Sequence, residues 1–208
     1  MKFKYVLIPL ITAFLGLIFF SILKFYNKPD ISGVSDDISL EENILVQESP
    51  FAKLNKPIYG TPKRILFDSL DLKLEVIRVG VSGSGSLETP NDWDIAGWYY
   101  KSARPSESGN LIINAHYDDN YGHPAAFWQL KNINIDDKVS VIDSFGRFHD
   151  YKVKDKFYVD MTDPDRLDVV DLESNEGSQM TLITCGGVYY PAQGYNKRLV
   201  VQAELIQD

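Results

Sequence analysis

Cysteine is scarce in this chain: among its 208 residues only Cys185 carries a thiol. One cysteine excludes an internal disulfide framework and any zinc site that needs several cysteines. A lone cysteine is most often a small buried apolar residue, and the alternative is a reactive thiol. Composition alone leaves both interpretations open.

Basic residues are also few, with 21 lysines and arginines against 29 aspartates and glutamates. Residues 1–28 contain four of the lysines and no acidic residue, so the remainder has 17 basic and 29 acidic residues and a net charge of −12. An acidic domain of this kind is a poor partner for nucleic acid or for anionic lipid. We therefore expect no nucleic-acid partner.

The chain lacks charge completely between Tyr5 and Leu23. This apolar run is long enough to span a bilayer as a helix, and no Ala-x-Ala-type cleavage site follows it. Lysines on both sides leave the orientation weakly determined. Residues 1–28 are interpreted as an uncleaved single-pass anchor in the cell membrane, with the rest of the chain outside the cell; the alternative is a helix buried in a soluble fold. An exported thiol that cannot pair internally risks oxidation, which favours a use for Cys185.

Internal repeats are absent from the rest of the sequence, and helical patterns are few. Residues 29–62 are typical of an extracytoplasmic linker, which holds the domain off the membrane or folds over it as a lid. Residues 63–208 contain many short apolar or alternating runs, which predict an all-β sandwich or barrel. The predicted strands cover residues 72–81, 95–100, 111–116, 138–143, 148–159, 180–185 and 197–206, with a bulge near Val76–Ile77 and short helical turns at Pro124–Leu130 and Asp163–Val170.

The stretch around Cys185 has the pattern of a buried strand. Met180–Thr184 is apolar and β-branched, and Gly186 and Gly187 follow the cysteine. A strand that ends there places a thiol at the edge of a sheet. The glycines allow a sharp turn and the close approach of another chain, so we expect them to contact the backbone of a substrate. The pattern predicts that Cys185 is a nucleophile.

A nucleophilic cysteine needs a base or a cationic partner. His116 ends a predicted strand and enters a polar loop, His123 is interpreted as an exposed residue of that loop, and His149 as a solvent-facing strand residue. His116 is therefore the candidate base, with a purely structural histidine as the alternative. Arg198 opens the last predicted strand; its guanidinium would favour a thiolate and hold a carbonyl, and the alternative is a surface arginine at an edge.

Six motifs follow one another along the domain: Val79–Val81, Ala96–Tyr99, Ser108–His116, Phe127–Leu130, Thr181–Cys185 and Arg198–Val201. With them, residues 63–206 resemble the catalytic domain of the sortases, the membrane-anchored cysteine transpeptidases of Gram-positive-type bacteria. The Ala-Gly-Trp-Tyr and Cys-Gly-Gly elements are most similar to sortase classes E and F. Asn114-Ala115-His116 departs from the commoner Gly-His, and Asn91-Asp92-Trp93 is a poor match to the Asp-Pro-aromatic lid motif of pilus-building sortases.

The resemblance implies a closed β-barrel of the sortase type with Cys185, His116 and Arg198 at one groove. It implies that Cys185 attacks the threonine carbonyl of a Leu-Pro-x-Thr-Gly-like sorting signal in an exported protein and forms a thioester. His116 would protonate the leaving glycine amine and then deprotonate the incoming amine. Arg198 would orient the substrate and stabilise the oxyanion, and Thr184 would help shape the oxyanion hole.

No metal or other cofactor is expected, and Asp118 and Asp119 are interpreted as solvated acids rather than as a calcium site. The implied acceptor is the amine of a peptidoglycan cross-bridge or of a pilin lysine. Two alternatives remain open from the residues themselves. One is a cysteine hydrolase that uses water as the acceptor, and the other is a non-catalytic, membrane-anchored surface-binding β-domain in which Cys185 is a core residue.

Overall fold

The computed structural model describes residues 57–172 and 177–207. The predicted anchor, residues 1–28, and most of the predicted linker, residues 29–62, lie outside the described residues. Within the two described ranges, no helix is long and apolar enough to cross a membrane. The anchor, the linker and the domain boundary at residue 63 therefore stay predictions.

The described part of the chain forms eight strands: β1 (Pro62–Phe67), β2 (Leu72–Val79), β3 (Ala96–Tyr99), β4 (Gly109–Asn114), β5 (Lys138–Asp143), β6 (Phe148–Asp160), β7 (Ser178–Tyr190) and β8 (Gly194–Leu205). They close into a barrel in the order β1-β2-β3-β4-β7-β8-β6-β5, which confirms the predicted all-β barrel. Short 3-10 helices lie between strands at Asp68–Leu70, Trp128–Asn132 and Asp168–Val170.

Parallel pairing in the barrel positions two strand ends at one rim. The pairs β2–β3 and β4–β7 are parallel, whereas β7–β8 and the remaining neighbours are antiparallel. Asn114, the last residue of β4, lies opposite Ile183 of β7. Because parallel strands run in the same direction, the residues that follow this pair on both strands emerge at the same rim.

Alternate side chains of the strands fill the barrel, as the period of two along a strand requires. The ring of Phe127 meets that of Phe67 edge-on with the centroids 6.0 Å apart, so the segment before the second 3-10 helix extends the core beyond the strands. The innermost side chains, each at most 1% exposed, include Ile65, Phe67, Leu111, Ile113, Val139, Val141, Tyr151, Val153, Met180, Leu182, Leu199 and Val201.

The strand that carries Cys185 is longer than the sequence predicts. β7 continues to Tyr190 and forms a hairpin with β8, with a register shift after Gly186. The prediction that the strand ends at the cysteine is therefore wrong, because pairing with β8 carries the strand past both glycines and a bulge accommodates them. β8 begins at Gly194, so Arg198 lies inside the last strand rather than at its start.

The predicted helical turns are shorter and later than expected. The sequence predicts helical turns that begin at Pro124 and at Asp163. In the structure the 3-10 helices in these two regions begin later, at Trp128 and at Asp168, and span Trp128–Asn132 and Asp168–Val170. Pro124 instead forms an isolated bridge with Asp118, which keeps the backbone around it extended. The strand β5, bounded on both sides by turn residues, matches its prediction at both ends.

The alternation of buried and exposed side chains along β2 changes phase where the strand changes its pairing partner. Leu72–Glu75 pairs with β1, and Val76–Val79 pairs with β3. Leu74 and Val76 are buried in the first phase and Val79 in the second. Both registers are continuous along β2, so the bulge predicted near Val76–Ile77 is not found, and the change of phase lies where β2 passes from one neighbour to the other.

Asp143 is a buried carboxylate at the end of β5. Nε of Arg147 donates to it at 2.7 Å, and Nε2 of His149 lies 3.0 Å from the same oxygen. The prediction that His149 faces solvent is wrong, since its side chain is only 10% exposed and pairs with Asp143. Burial alone would raise the pKa of Asp143, but hydrogen bonds from His149, Arg147 and the Phe145 amide hold that pKa well below its usual range.

We expect Asp143→Asn to lower the free energy of unfolding by about 3 kcal/mol near neutral pH, because it breaks a buried charged pair. The depressed pKa of Asp143 in the folded chain means that its stabilisation is complete above the pKa of the unfolded chain and is lost as the pH falls below about 4. The stability gap between the two proteins should therefore shrink on acidification. Urea unfolding of both proteins over a pH series measures this gap, and Asp165→Asn, at an exposed aspartate, is the control. A gap that does not change with pH would contradict the stabilising role of the Asp143 carboxylate.

Candidate active site

Cys185 and Arg198 lie directly opposite each other on the paired strands β7 and β8. His116 follows Asn114, the last residue of β4, by two residues, just as Cys185 follows Ile183, the partner of Asn114. The parallel register therefore brings His116 to the rim beside the thiol. All three side chains are partly buried. The structure thus brings together the three residues that the sequence predicts as catalytic.

Thr184 connects the two strand ends. Its side chain is buried, and Oγ1 donates a hydrogen bond of 2.8 Å to the carbonyl of Ala115, the residue before His116. The amide of Ala115 in turn donates to the carbonyl of Ile183 at 3.2 Å. These bonds hold the segment that carries His116 against the strand that carries Cys185. A part for Thr184 in an oxyanion hole stays a prediction.

The imidazole of His116 contacts the loop between β2 and β3. Nε2 lies 2.8 Å from the carbonyl oxygen of Pro90, and the ring of Trp93 is tilted against the imidazole at 53° with the centroids 4.3 Å apart. The sequence interpretation missed both residues, because it compared Asn91-Asp92-Trp93 only with a lid motif. Their position just before the Ala96–Tyr99 motif was the available signal.

A groove of about 610 Å³ reaches Cys185. Residues of β3, β4, β7 and β8 line it, together with the loop after β2 and the segment from the end of β6 to Leu172. The lining includes Thr184, Cys185 and Arg198, whereas His116, two residues after β4, is not part of it. The apolar part of the lining comprises Val81, Leu87, Ile112, Val159, Met161, Leu167, Val169, Val170, Leu172 and Ile183.

Gly186 and Gly187 pack against neighbouring strands. A Cβ on Gly186 would lie 2.7 Å from the ring of Tyr158, and a Cβ on Gly187 would overlap Oδ1 of Asn196. Gly187 also has a φ of +79°, which favours glycine. Neither glycine lines the groove, and the absence of a side chain at each position is explained by the close packing around the β7–β8 hairpin. Their contact with a substrate backbone stays a prediction.

Comparison with known families decides what this barrel is. A family profile for the sortase domain matches residues 65–206, more than half of the chain. The chain belongs to the sortase family.

Solved sortase structures share this fold. Sortase A of Listeria monocytogenes matches with a TM-score of 0.53 and 21% identity, covering 71% of this chain and 88% of that chain. A sortase D5 transpeptidase of Clostridium perfringens matches with a TM-score of 0.52 and 19% identity, covering 75% and 86%. Sortase C1 of Streptococcus agalactiae matches with a TM-score of 0.53 and 19% identity, covering 72% and 69%. No curated protein matches the chain.

The profile confirms the predicted family, and these structures confirm the predicted fold. They include sortases of classes A, C and D, so the resemblance to classes E and F stays a prediction. At this level of identity they show the barrel alone, and the roles of individual residues depend on the geometry of this chain.

The thiol of Cys185 in this sortase barrel is in an environment that favours its neutral form. Burial raises its pKa above the ordinary value, the guanidinium of Arg198 lowers it, and the carboxylate of Asp118 raises it further. The net shift is upward, so the neutral thiol predominates near neutral pH. A neutral thiol becomes a strong nucleophile when a base removes its proton, and His116 at the same rim stays the predicted base.

Arg198 is held along its own strand. Nη1 donates to the carbonyl of Tyr195 at 3.3 Å and to that of Lys197 at 3.0 Å. Both bonds come from one nitrogen of a group that has five N–H donors, which leaves donors for a substrate oxygen beside Cys185. A planar, permanently charged group in this place can orient and polarise a carbonyl.

Asp118 is more than the solvated acid that the sequence indicates. It accepts a short hydrogen bond from the hydroxyl of Tyr195, at the start of β8. Burial and the Asp118 carboxylate raise the pKa of Tyr195 above its ordinary value. Asp119 accepts from the amides of Tyr121 and His123 and thereby shapes the loop, while His123 is exposed as predicted.

We expect Asp118→Asn to lower the pKa of the Cys185 thiol. The carboxylate opposes formation of the thiolate, so its removal makes ionisation easier, and the asparagine oxygen still accepts from Tyr195. The rate of iodoacetamide alkylation, which follows the thiolate, should reach half its maximum at a lower pH. Asp119→Asn is the matched control in the same loop and should leave this midpoint in place. A midpoint that moves upward in Asp118→Asn would contradict the assignment.

Proposed function

We propose that this chain is a cell-surface cysteine transpeptidase that cleaves a Leu-Pro-x-Thr-Gly-like sorting signal and transfers the acyl fragment to an amine. The observation that carries the proposal is a single cysteine opposite an arginine in the lining of a largely apolar groove, with a histidine at the same rim. A nucleophile, a proton carrier and a cation for the oxyanion are the parts that acyl transfer needs. Membership of the sortase family supports the same reaction.

In the first half-reaction, Sγ of Cys185 attacks the carbonyl carbon of the threonine, and His116 takes the thiol proton. Negative charge develops on the carbonyl oxygen, where the guanidinium of Arg198 stabilises it. The bond from the threonine carbonyl to the glycine nitrogen then breaks. His116 gives the proton to the leaving amine, and the acyl group stays on Sγ as a thioester.

In the second half-reaction, an amine nitrogen attacks the thioester carbonyl while His116 removes one of its protons. A new amide forms, and Sγ leaves as a thiolate that takes the proton back from His116. The raised pKa of Cys185 favours this return to the neutral resting thiol. The products are a joined polypeptide and an unchanged enzyme.

The groove suits the apolar residues that precede the threonine in such a signal. Leu87, Val169 and Leu172 are among its lining, and burying a leucine side chain against such residues stabilises a complex by about 1.5–3 kcal/mol. Thr184, Cys185 and Arg198 are also part of the lining, and we assign the threonine and the scissile bond to them. We assign contacts with the peptide backbone to Gly186 and Gly187 as well.

The proposed location follows from the N-terminal segments. Residues 1–28 serve as the membrane anchor, residues 29–62 as the linker and residues 63–208 as the catalytic domain outside the cell. In this location the catalytic domain can reach both substrates. One is an exported protein with a sorting signal, and the other is a surface amine from a peptidoglycan cross-bridge or a pilin lysine. The reaction needs no metal or cofactor, since Cys185, His116 and Arg198 supply the nucleophile, the proton carrier and the cation.

Incubation of the full chain in detergent micelles with a sorting-signal peptide, with and without triglycine, tests this function. We expect mass spectrometry to show the peptide joined to triglycine through its threonine. A scrambled peptide of the same composition is the control. Hydrolysed product alone, even at high triglycine, would favour the cysteine hydrolase, and uncut peptide would count against both enzymes.

A further inference from the structure

The loop between β2 and β3 contacts the imidazole of His116 at two points that the mechanism above does not use. The carbonyl oxygen of Pro90 lies 2.8 Å from Nε2, and the indole of Trp93 lies against the ring with a centroid distance of 4.3 Å. Together these contacts restrict the imidazole more than either would alone. The hydrogen bond fixes the direction in which Nε2 points, and the indole limits the tilt of the ring.

The carbonyl of Pro90 determines which nitrogen carries the hydrogen in the neutral ring. A carbonyl oxygen only accepts hydrogen bonds, so the bond at Nε2 requires a hydrogen there in the neutral ring. The protonated ring carries hydrogens on both nitrogens and keeps the same bond. Nδ1 of His116 is therefore the nitrogen that gains and loses a proton while the contact with Pro90 persists.

Backbone hydrogen bonds keep Trp93 and His116 side by side. The amide of Ala126 donates to the carbonyl of Trp93 at 2.8 Å, and the amide of Phe127 donates to the carbonyl of His116 at 2.8 Å. Two consecutive amides of one segment thus hold both residues. The indole is consequently part of a fixed frame around the imidazole.

Asn114 fixes the beginning of the same loop. Its side chain is buried, and Nδ2 donates to the carbonyl of Glu88 at 3.0 Å and to Oγ1 of Thr89 at 2.9 Å. Asn114 is also the last residue of β4, two residues before His116. The side chain of Asn114 therefore connects the loop to the strand that leads to the histidine.

We propose that Trp93 is a positioning residue which, with the carbonyl of Pro90, keeps His116 in the Nε2–H form and makes Nδ1 the nitrogen that exchanges protons. The proposal rests on the transpeptidase function proposed above. One proton moves from Sγ of Cys185 to Nδ1 and then to the leaving amine, and in the second half-reaction one moves from the incoming amine to Nδ1 and back to Sγ.

The tautomer of His116 tests the proposal in the resting chain. We would label the histidines of the full chain with ¹⁵N, in detergent micelles, and assign the signals with His116→Gln and His123→Gln. We expect the neutral ring of His116 to show a protonated Nε2 and an unprotonated Nδ1. Trp93→Leu should give a mixture of tautomers, and Trp93→Phe should retain the single form. A dominant Nδ1–H form in the unmodified chain would overturn the proposal.

Kinetics supply the second readout. We expect Trp93→Leu to lower kcat by about 10- to 100-fold, the size of a misplaced general acid–base, with little change in KM for the peptide. Trp93→Phe should recover most of the loss, and Trp128→Leu, at a tryptophan that packs on Tyr117 instead of His116, is the matched control. A folded Trp93→Leu with unchanged kcat would overturn the proposal; if that variant does not fold, Trp93→Phe and the tautomer of the unmodified chain decide. The tautomer is measured without peptide, so failure to cleave peptide would refute the proposed function alone.

Discussion

Replacing Cys185 with alanine is expected to abolish peptide cleavage and amine transfer, with a loss of turnover of about 10⁵-fold or more. The thiol is the only one in the chain, and it lines the groove opposite Arg198. Without it, no covalent acyl-enzyme can form, and the remaining groups only bind and polarise the peptide. The side chain is partly exposed, so we expect the barrel to fold as before.

Mass spectrometry of the protein provides the direct measurement. Incubated with the sorting-signal peptide and no amine, the unmodified chain should carry the acyl fragment on Cys185, and hydroxylamine should release it. Cys185→Ala should show no adduct and an unchanged unfolding midpoint. Cys185→Ser, whose hydroxyl ionises at much higher pH, is the matched control and should also be inactive. An alanine variant that still joins peptide to triglycine would leave Cys185 a structural residue.

The local pattern of apolar and turn residues predicts most strands of the barrel. The run Lys138–Asp143 is bounded by turn residues on both sides and forms β5 with the predicted ends. The end of β7 could not be predicted, because Gly186 and Gly187 favour a turn locally while ten residue pairs with β8 hold the strand together. Tertiary pairing thus overrides local propensity where glycines meet a hairpin partner.

The sequence predicts the three residues that the barrel brings to one rim, and it misses the residues that support them. Strand patterns make Cys185, His116 and Arg198 candidates, and the resemblance to the sortases is what groups them at one groove. The supporting contacts involve loop residues, and Tyr195 of β8 reaches Asp118 across 77 positions of sequence. Loop contacts of this range have no periodic signature, so only the folded barrel shows them.

Arg198→Ala is expected to have the second large effect, a loss of about 10²- to 10³-fold in kcat/KM. A loss of this size is typical when one group that stabilises an oxyanion is removed. Two consequences of the guanidinium are lost together. It no longer faces the charge that develops on the threonine carbonyl, and it no longer lowers the pKa of the Cys185 thiol. The alkylation midpoint should therefore move to higher pH, opposite in direction to the shift expected for Asp118→Asn.

Arg198→Lys separates these two consequences. A lysine restores the positive charge and should return the alkylation midpoint towards that of the unmodified chain, but it lacks the planar fork that can hold a carbonyl in two hydrogen bonds. We therefore expect Arg198→Lys to recover thiol reactivity almost fully and turnover only in part. If turnover recovers as completely as alkylation, charge alone explains Arg198. If neither variant lowers turnover, Arg198 has no part in stabilising the oxyanion, and another donor near Cys185 must do so.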